Sequence, residues 1–543
     1  MFLRHCARVE SGRDVLQGQA VHPTGFGSLS NYPLCTVRAN FGGDMPNQLF
    51  ATKSIAELHE QESKGNQLNR ALSATALTLL GIGGIIGTGI FVLTGTAAAN
   101  HAGPALALSF IIAGIGCTLA GLCYAEFAAM IPVSGSAYSY SYATLGEGIA
   151  WFIGWNLILE YLFAVATVST GWSGYVLSTL EQFNIHLPAA LTHAPLDQAP
   201  GTGSFNIITT GAIINLPAML IVAAIAYICY IGIKQSAAFN SVIVTIKVTV
   251  VLLFIFLGVG YINQANWHPF IPPNAGEMGR FGWSGVLSAS GVIFFAYIGF
   301  DAISTASQEA RNPQRDMPIG ILASLVVCTI LYVVVALVLT GMVSYKELDV
   351  AAPVALALDK YPPLHWLGLP VKLGAIAGMT SVMLVMTLAQ ARIFFAMARD
   401  GLLPEWFSHV HPKYKTPSTG TAITGVSAAI IGGLFPVKIL GELVSIGTLM
   451  AFVTVCIGVL VLRRTRPDLP RPFKAPAPMI TCTLGALICF GMMIALGTAT
   501  WMRLIVWTVV GVVVYLAYGR KHSRVGHALN GTSDGKTTPA ASA

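Results

Sequence analysis

The stretch Gly81-Ile-Gly-Gly-Ile-Ile-Gly-Thr-Gly-Ile90 sits inside a run that has no Asp, Glu, Lys or Arg from Ala71 to Ala125. Each glycine weakens a helix by about 1 kcal/mol relative to alanine. In hydrocarbon every backbone N–H and C=O must also find a partner. Glycines this dense at membrane depth make sense where something other than lipid meets the backbone. The stretch therefore reads as a helix broken near Gly84 to Gly87 whose exposed backbone holds a small zwitterion. The amides of Thr88, Gly89 and Ile90 then form the free N-terminus of a second half-helix, suited to a carboxylate. The carbonyls around Gly84 and Ile85 face an ammonium group. The other reading makes Gly83-x-x-x-Gly87 a small-residue packing face between spans.

The surrounding chain has 543 residues, 54% hydrophobic and 10% charged, with a mean hydropathy of +0.69. A soluble domain is about one quarter charged, so the fold class is a polytopic membrane protein. The nine cysteines show no Cys-x-x-Cys spacing and mostly fall in apolar runs, which marks them as core residues and not as metal ligands or a disulfide framework. The net charge of +7 comes from short loops between apolar runs, so it is no nucleic-acid footprint.

A span needs about 20 apolar residues. On that rule twelve are expected, at 74–97, 104–131, 147–179, 211–232, 236–262, 283–307, 318–343, 371–397, 418–435, 440–462, 477–500 and 502–519. The connection from 182 to 210 has no Lys or Arg and is external by the positive-inside rule. Lys234, Arg311, Arg315, Arg399, Lys413, Lys415, Arg463, Arg464 and Arg520 fall on the opposite side, which places both termini in the cytoplasm. Residues 1–44 lack a signal peptide's apolar segment and read as a doubtful or disordered extension before a cytoplasmic segment, 45–73. The polar tail, 520–543, reads as disordered.

A second interruption, Phe294-Phe-Ala-Tyr-Ile-Gly-Phe-Asp301, comes five spans after the first. Interrupted spans at matching positions of two halves point to a transporter site at the repeat interface. Here aromatic rings beside an unwound carbonyl row could close over a side chain, with Phe300 or Phe295 as gate. The plain alternative is aromatic packing.

Ionisable groups within spans are functional candidates by default. Lys247 lies midway along a run otherwise uncharged from Gln235 to Gly276. Burial disfavours a lysine's charged form, which suits a group that cycles a proton. It could equally be a permanent cation in place of Na⁺, or a structural lysine paired with a carboxylate. Glu160 is also mid-span and could relay protons or meet a cationic side chain. Glu126 and Asp301 fall nearer the cytoplasmic ends and read either as gating groups or as solvated edges. Charges in the 309–316 loop and the 392–401 segment could form a latch at the inner face or simply serve topology.

Catalytic signatures are missing from the sequence: it contains neither Gly-x-x-x-x-Gly-Lys-Ser/Thr nor His-Glu-x-x-His. The chain is not expected to be an enzyme, to hold a metal or to need a cofactor. Transport would then be secondary, with H⁺ as the expected coupling ion.

Five stretches occur in order: Leu80-Gly-Ile-Gly-Gly-Ile-Ile-Gly-Thr-Gly-Ile-Phe91, Tyr124-Ala-Glu-Phe127, Pro132-Val-Ser-Gly-Ser-Ala-Tyr138, Gly299-Phe-Asp301 with Asn312-Pro313, and Arg399-Asp-Gly-Leu-Leu-Pro404. Together they resemble the cationic amino acid transporter family of the amino acid–polyamine–organocation superfamily, in its bacterial twelve-span form. The resemblance implies an all-α protein of 12 transmembrane helices with discontinuous first and sixth helices. It places one five-helix repeat at 74–263, an inverted copy at 264–463 and two extra helices within 464–519. It further implies proton-coupled or facilitative amino acid uptake by alternating access in a bacterial inner membrane. Carried onto this sequence, the substrate backbone meets Ile85, Thr88 and Gly89 in the first helix, and Phe295, Ala296, Ile298 and Phe300 in the sixth. Lys247 resembles the lysine that fills a sodium site in sodium-coupled relatives, near the Thr88 hydroxyl, and Glu160 resembles the family's intramembrane glutamate.

The expected partners are an amino acid and the lipid bilayer, without nucleic acid and without an obligatory protein partner. Cationic and neutral substrates both remain open at this point, although Met383 and Met386 would favour apolar side chains if they face the pocket. An amino acid/polyamine exchanger and a membrane amino-acid sensor are the competing functions.

Overall fold

The computed structural model describes residues 48–53, 72–131, 135–198, 207–232 and 237–529, the side chains of 237–240 and 308 excepted. The expected extension at 1–44, most of the segment at 45–73 and the end of the tail at 530–543 lie outside the described residues.

Helix α1 (Ala74–Ile85) starts at Ser73, whose hydroxyl accepts from the Ala76 amide at 3.3 Å, meeting one of the N–H groups that a helix start leaves unbonded. It stops at Ile86, where the backbone turns extended (φ −73°, ψ 101°). Helical backbone resumes through a π segment at Gly89–Leu93, a turn at Thr94–Ala97 and a second π segment at Ala98–Ala102. The helices that follow are α2 (Leu106–Met130), α3 (Ser136–Thr144), α4 (Glu147–Gln182), α5 (Leu216–Ile231) and α6 (Ala237–Gly258). Next comes α7 (Gly282–Ile293), which tightens into a 3₁₀ turn at Phe294–Tyr297. At Ile298 the backbone becomes extended (φ −62°, ψ 135°), and one helical turn, Ala302–Thr305, ends the segment. The chain continues as α8 (Pro313–Met342), α9 (Pro353–Asp359), α10 (His365–Arg399), α11 (Ser418–Leu434), α12 (Val437–Thr465), α13 (Pro478–Ala495), α14 (Thr498–Val514) and α15 (Arg524–Leu529).

Among the described residues nine helical stretches are long and apolar enough to cross a membrane, with three shorter apolar helices, α1, α5 and α11. The sequence reading expects twelve spans, and the two differ where a length rule meets real backbone. Helix α1 ends at the glycine break, α5 and α11 have only 16 and 17 helical residues, and residues 89–130 run as one helical stretch past Gly103. Two further departures are local. Leu196–Gln198 pairs antiparallel with Ile207–Thr209 in the connection after α4, a small ribbon in an otherwise helical chain. The expected disordered tail is helical as far as Leu529, because Ser523 and Tyr515 bond the buried Glu147.

Burial sorts centre from rim. In the 282–305 segment 94% of the most apolar window is buried, against 28% for 498–522, so the second break lies in the middle and α14 faces lipid. Around α1 pack α6, α8 and α10, while α4 packs on α10 and α12. Helix α14 is held to α4 by Trp155 and Trp507, stacked at 4.8 Å between centroids. Each indole N–H donates to the other's backbone carbonyl, at 2.8 and 3.1 Å.

Candidate functional site

The two breaks meet in the middle of the protein. A Cβ built on Gly299 would lie 2.7 Å from the carbonyl of Gly84, and one on Gly89 would lie 2.3 Å from the Cα of Ala296. The chains pass in opposite directions, residue 84 against 299 and residue 89 against 296, as two inverted copies of one element would. Gly299 has φ +122°, a conformation that other residues rarely adopt. The hydroxyl of Tyr332, on α8, spans both breaks, 2.9 Å from the carbonyl of Ile85 and 3.0 Å from that of Ala296.

Lys247 reaches from α6 into the first break. Its ammonium donates to the carbonyls of Gly83 at 2.5 Å and Ile86 at 3.1 Å and to the Ser381 hydroxyl at 3.2 Å. Three N–H donors thus meet three acceptors. Two of these are carbonyls that the end of α1 leaves unpaired, at its negative dipole end. The Thr88 hydroxyl, which the sequence reading puts near this lysine, donates to the Val168 carbonyl at 3.5 Å and lies against Gly171 of α4. Helix α10 completes the lysine's cage: Gly378 lies against its aliphatic stem, and Val382 against Gly87.

Beyond the break, the amide of Phe91 bonds the carbonyl of Gly87 at 3.2 Å. The amides of Thr88, Gly89 and Ile90 precede that bond, so they stand at the N-terminus of the second half-helix, where N–H groups point outward. All seven residues assigned to the substrate backbone border the two breaks. Phe300 packs with Phe452 at 5.0 Å and Tyr124 at 5.7 Å between centroids and is fully buried. Phe295 keeps 6% of its surface exposed, and its carbonyl accepts from the Ile298 amide at 3.2 Å.

The intramembrane carboxylates divide into bound and unbound. Asp301 is fully buried; it accepts from the Tyr161 hydroxyl and, at 3.2 Å, from the Gly299 amide, so it braces the second break. Glu126, 2% exposed, is held by the Arg463 guanidinium through bonds of 2.9 and 2.5 Å and by the Ala475 amide at 2.8 Å. The solvated-edge reading of these two therefore does not hold, because Tyr161 and Arg463 take the place of water. Glu160 is fully buried, and neither of its oxygens has a hydrogen-bond partner among the described residues. The neighbouring Thr448 hydroxyl donates to the Val444 carbonyl at 3.0 Å instead. Glu160 and Asp301 lie close enough to feel each other's charge.

Contacts cross between elements at both ends of the broken pair. On one side Leu72 pairs in parallel with Ala310, and Arg392 bonds Glu309 at 3.0 Å and the Thr305 hydroxyl at 3.1 Å. Arg392 and Glu309 are each about one-third exposed, so the pair contributes about 0.2–1 kcal/mol. On the other side His101 Nδ1 lies 2.8 Å from the Gly279 carbonyl, and Asn100 donates to Asp349 at 2.9 Å. Sequence reasoning missed Tyr332, Ser381, Tyr161 and a buried hub at Glu147, which accepts from Gln48 at 3.0 Å, Tyr142 at 2.9 Å, Tyr515 at 2.8 Å and Ser523. A tyrosine or serine in an apolar helix is a common residue, and its sequence position does not show which distant carbonyl it reaches.

Residues 72–515 match the family model described as amino acid permease. The chain is 49% identical over 477 residues to the methylthioribose transporter of Bacillus subtilis (strain 168), covering 88% of this chain and 99% of that one. It is 48% identical over 482 residues to the branched-chain amino acid permease BcaP of the same organism, covering 89% and 100%. The human cationic amino acid transporter 4 is more distant, 36% identical over 419 residues, with 77% and 63% covered.

Proposed function

The chain belongs to the amino acid permease family of the amino acid–polyamine–organocation superfamily, and on that premise we propose that it takes up neutral, branched-chain amino acids by proton-coupled alternating access. It is a multi-pass membrane transporter and not an enzyme. The observation that carries the reading is the meeting of the two breaks, with half-helix amides at 88–90 on one side and the carbonyl row at 295–298 on the other. The amides suit the carboxylate of the amino acid, and the carbonyl row suits its ammonium group.

Val382 touches Gly87, and Met386 lies one turn further along the same face of α10. These apolar side chains favour an aliphatic substrate, as does the 48% identity to a permease named for branched-chain amino acids. Phe295, which keeps some exposure where Phe300 has none, is the gate in this reading. Glu160, buried without a hydrogen-bond partner among the described residues, and Lys247, which plugs the first break, carry the proton coupling. The helices from α1 to α6 form one repeat and those from α7 to α12 its inverted copy, followed by two more spans. In this reading the protein lies in a bacterial plasma membrane, and its basic loops favour the cytoplasmic side for both termini. The two closing sets of contacts, around Arg392 and around His101, open in turn.

A second reading follows from the 49% identity to a methylthioribose transporter. That thioether sugar has neither an ammonium nor a carboxylate and would leave both backbone groups unused. Counterflow in proteoliposomes tests both. Labelled leucine should exchange with unlabelled leucine, isoleucine or valine and not with arginine or methylthioribose. Exchange only with methylthioribose would replace the first reading with the second, and no counterflow with any of them would remove transport of these solutes.

A further inference from the structure

Where the last helix ends, the protein has a cavity of about 400 Å³ lined by Arg520, Lys521, His527, Gln48, Gly526 and Leu516. Three of these six residues are basic and none is acidic. The walls come from two remote parts of the chain, and buried hydrogen bonds fix them in place. The Gln48 amide donates at 3.0 Å to Glu147 and at 3.0 Å to the backbone carbonyl of Arg520. Glycine at 526 lets the Gln48 head sit close, since a Cβ there would lie 2.6 Å from Gln48 Nε2 and would push it aside. The carboxylate beneath, Glu147, already accepts from four donors, so it offers the basic groups above it little competition.

The ligand chemistry follows from this lining. A guanidinium fork beside an ammonium matches the oxygens of a phosphate. Leu516, 51% exposed, forms the cavity's apolar edge, and on the same helix face lie Val513 and Val509, 58% and 55% exposed, at the three- and four-residue spacing that aligns side chains along a helix. A cationic cavity that continues into an apolar track along a lipid-facing helix fits a molecule with an anionic head and a hydrocarbon tail. We propose that this cavity seats the phosphate headgroup of an anionic phospholipid, with an acyl chain along Leu516, Val513 and Val509. Basic pockets at the membrane end of helices bind such headgroups in this way. The bound lipid would brace the contact between the N-terminal segment at Gln48 and the C-terminal helices.

The test uses the purified full chain in detergent and follows its thermal unfolding midpoint. It is titrated with phosphatidylglycerol, with phosphatidylcholine of the same chains, and with glycerol phosphate, which has the head and no tail. Each basic side chain near a lipid surface shifts affinity about fivefold, so two give roughly 30-fold. Phosphatidylglycerol should therefore reach its half-effect at a roughly 30-fold lower concentration than phosphatidylcholine. Lys521→Gln should remove about a fivefold part of that gap, and Arg520→Gln with Lys521→Gln should close it. The single variant keeps the test usable if the double variant does not fold. Equal potency of the two lipids, or a gap unchanged in Lys521→Gln, overturns the proposal. An equal effect of glycerol phosphate makes the cavity a free-phosphate site and overturns the lipid assignment. Closure of the gap by Arg464→Gln with Arg466→Gln, a basic pair outside the cavity lining, would show unspecific charge attraction and also overturn it.

Discussion

Gly84 and Gly299 meet backbone to backbone, so close that neither leaves room for an unstrained side chain at the other. A Cβ on Gly299 would sit 2.7 Å from the Gly84 carbonyl at φ +122°, whereas one on Gly84 would approach the Gly299 oxygen only to 3.3 Å. The expected order is therefore unequal. Gly299→Ala should lose about 2–4 kcal/mol, from backbone strain and overlap together, and abolish uptake. Gly84→Ala should lose about half as much. Gly491→Ala, with nothing within 4 Å, should match or exceed the parent. Thermal unfolding of the three variants gives the ranking, and equal midpoints for the first two would contradict the close-approach argument.

Lys247→Met removes the donors that meet the Gly83 and Ile86 carbonyls. Two buried acceptors without partners cost about 2–4 kcal/mol, and Ser381→Ala should cost about 1 kcal/mol because two of the three bonds persist. Under the proposed coupling role, Lys247→Met also loses pH-driven uptake and keeps some substrate binding. Unaltered proton-driven uptake in that variant would end the coupling role.

Arg463 and Glu126 tie α2 to the chain between α12 and α13. Arg463→Gln leaves the 2%-exposed carboxylate of Glu126 without its two shortest side-chain donors. A fully buried pair broken on one side costs about 3–5 kcal/mol, and the 21% exposure of Arg463 reduces this to about 2–3 kcal/mol. Arg471 Nε stays 3.5 Å from Glu126 and neutralises part of its charge in that variant, so adding Glu126→Gln should restore only a small part of the loss. A double variant less stable than Arg463→Gln alone would show that the pair itself is not what stabilises the joint.

Glu160→Gln keeps the shape of a group that has no hydrogen-bond partner among the described residues. Its midpoint should stay within about 1 kcal/mol of the parent, while uptake loses its dependence on a proton gradient. A large loss of stability would point to a structural carboxylate instead.

Met386→Ser should widen the substrate range towards longer or polar side chains by about 10-fold in relative uptake, the value of one to two methylenes of pocket wall. Competition assays against labelled leucine measure it, and an unchanged inhibition series would place Met386 away from the side chain.

The glycine run and the Phe294–Asp301 segment were legible because backbone irregularity inside an apolar run leaves a compositional trace. Both breaks are where those residues place them, and Lys247 drew notice because a lone charge in a long uncharged run is costly. The partners of these groups left no such trace. Tyr332 and Ser381 sit in ordinary helical patterns, and only the packing of α8 and α10 on α1 shows that they reach the broken backbone. Sequence position near a span end leaves Glu126 and Asp301 open between gating and solvated readings, because the groups that bury them, Arg463 and Tyr161, arrive from elsewhere in the chain. Helices α5 and α11 fall within the expected spans 211–232 and 418–435, although each has a few helical residues fewer than a span is expected to need.

Glu147 and Ser523 are separated by 376 residues of chain. At about 5–20 residues per second, a ribosome delivers the second roughly 20–75 s after the first. Through that interval the carboxylate lacks two of its four eventual donors, Tyr515 and Ser523. The completed hub thus joins distant parts of the chain: a chain cut short before Tyr515 lacks two of the donors that meet the carboxylate at the start of α4.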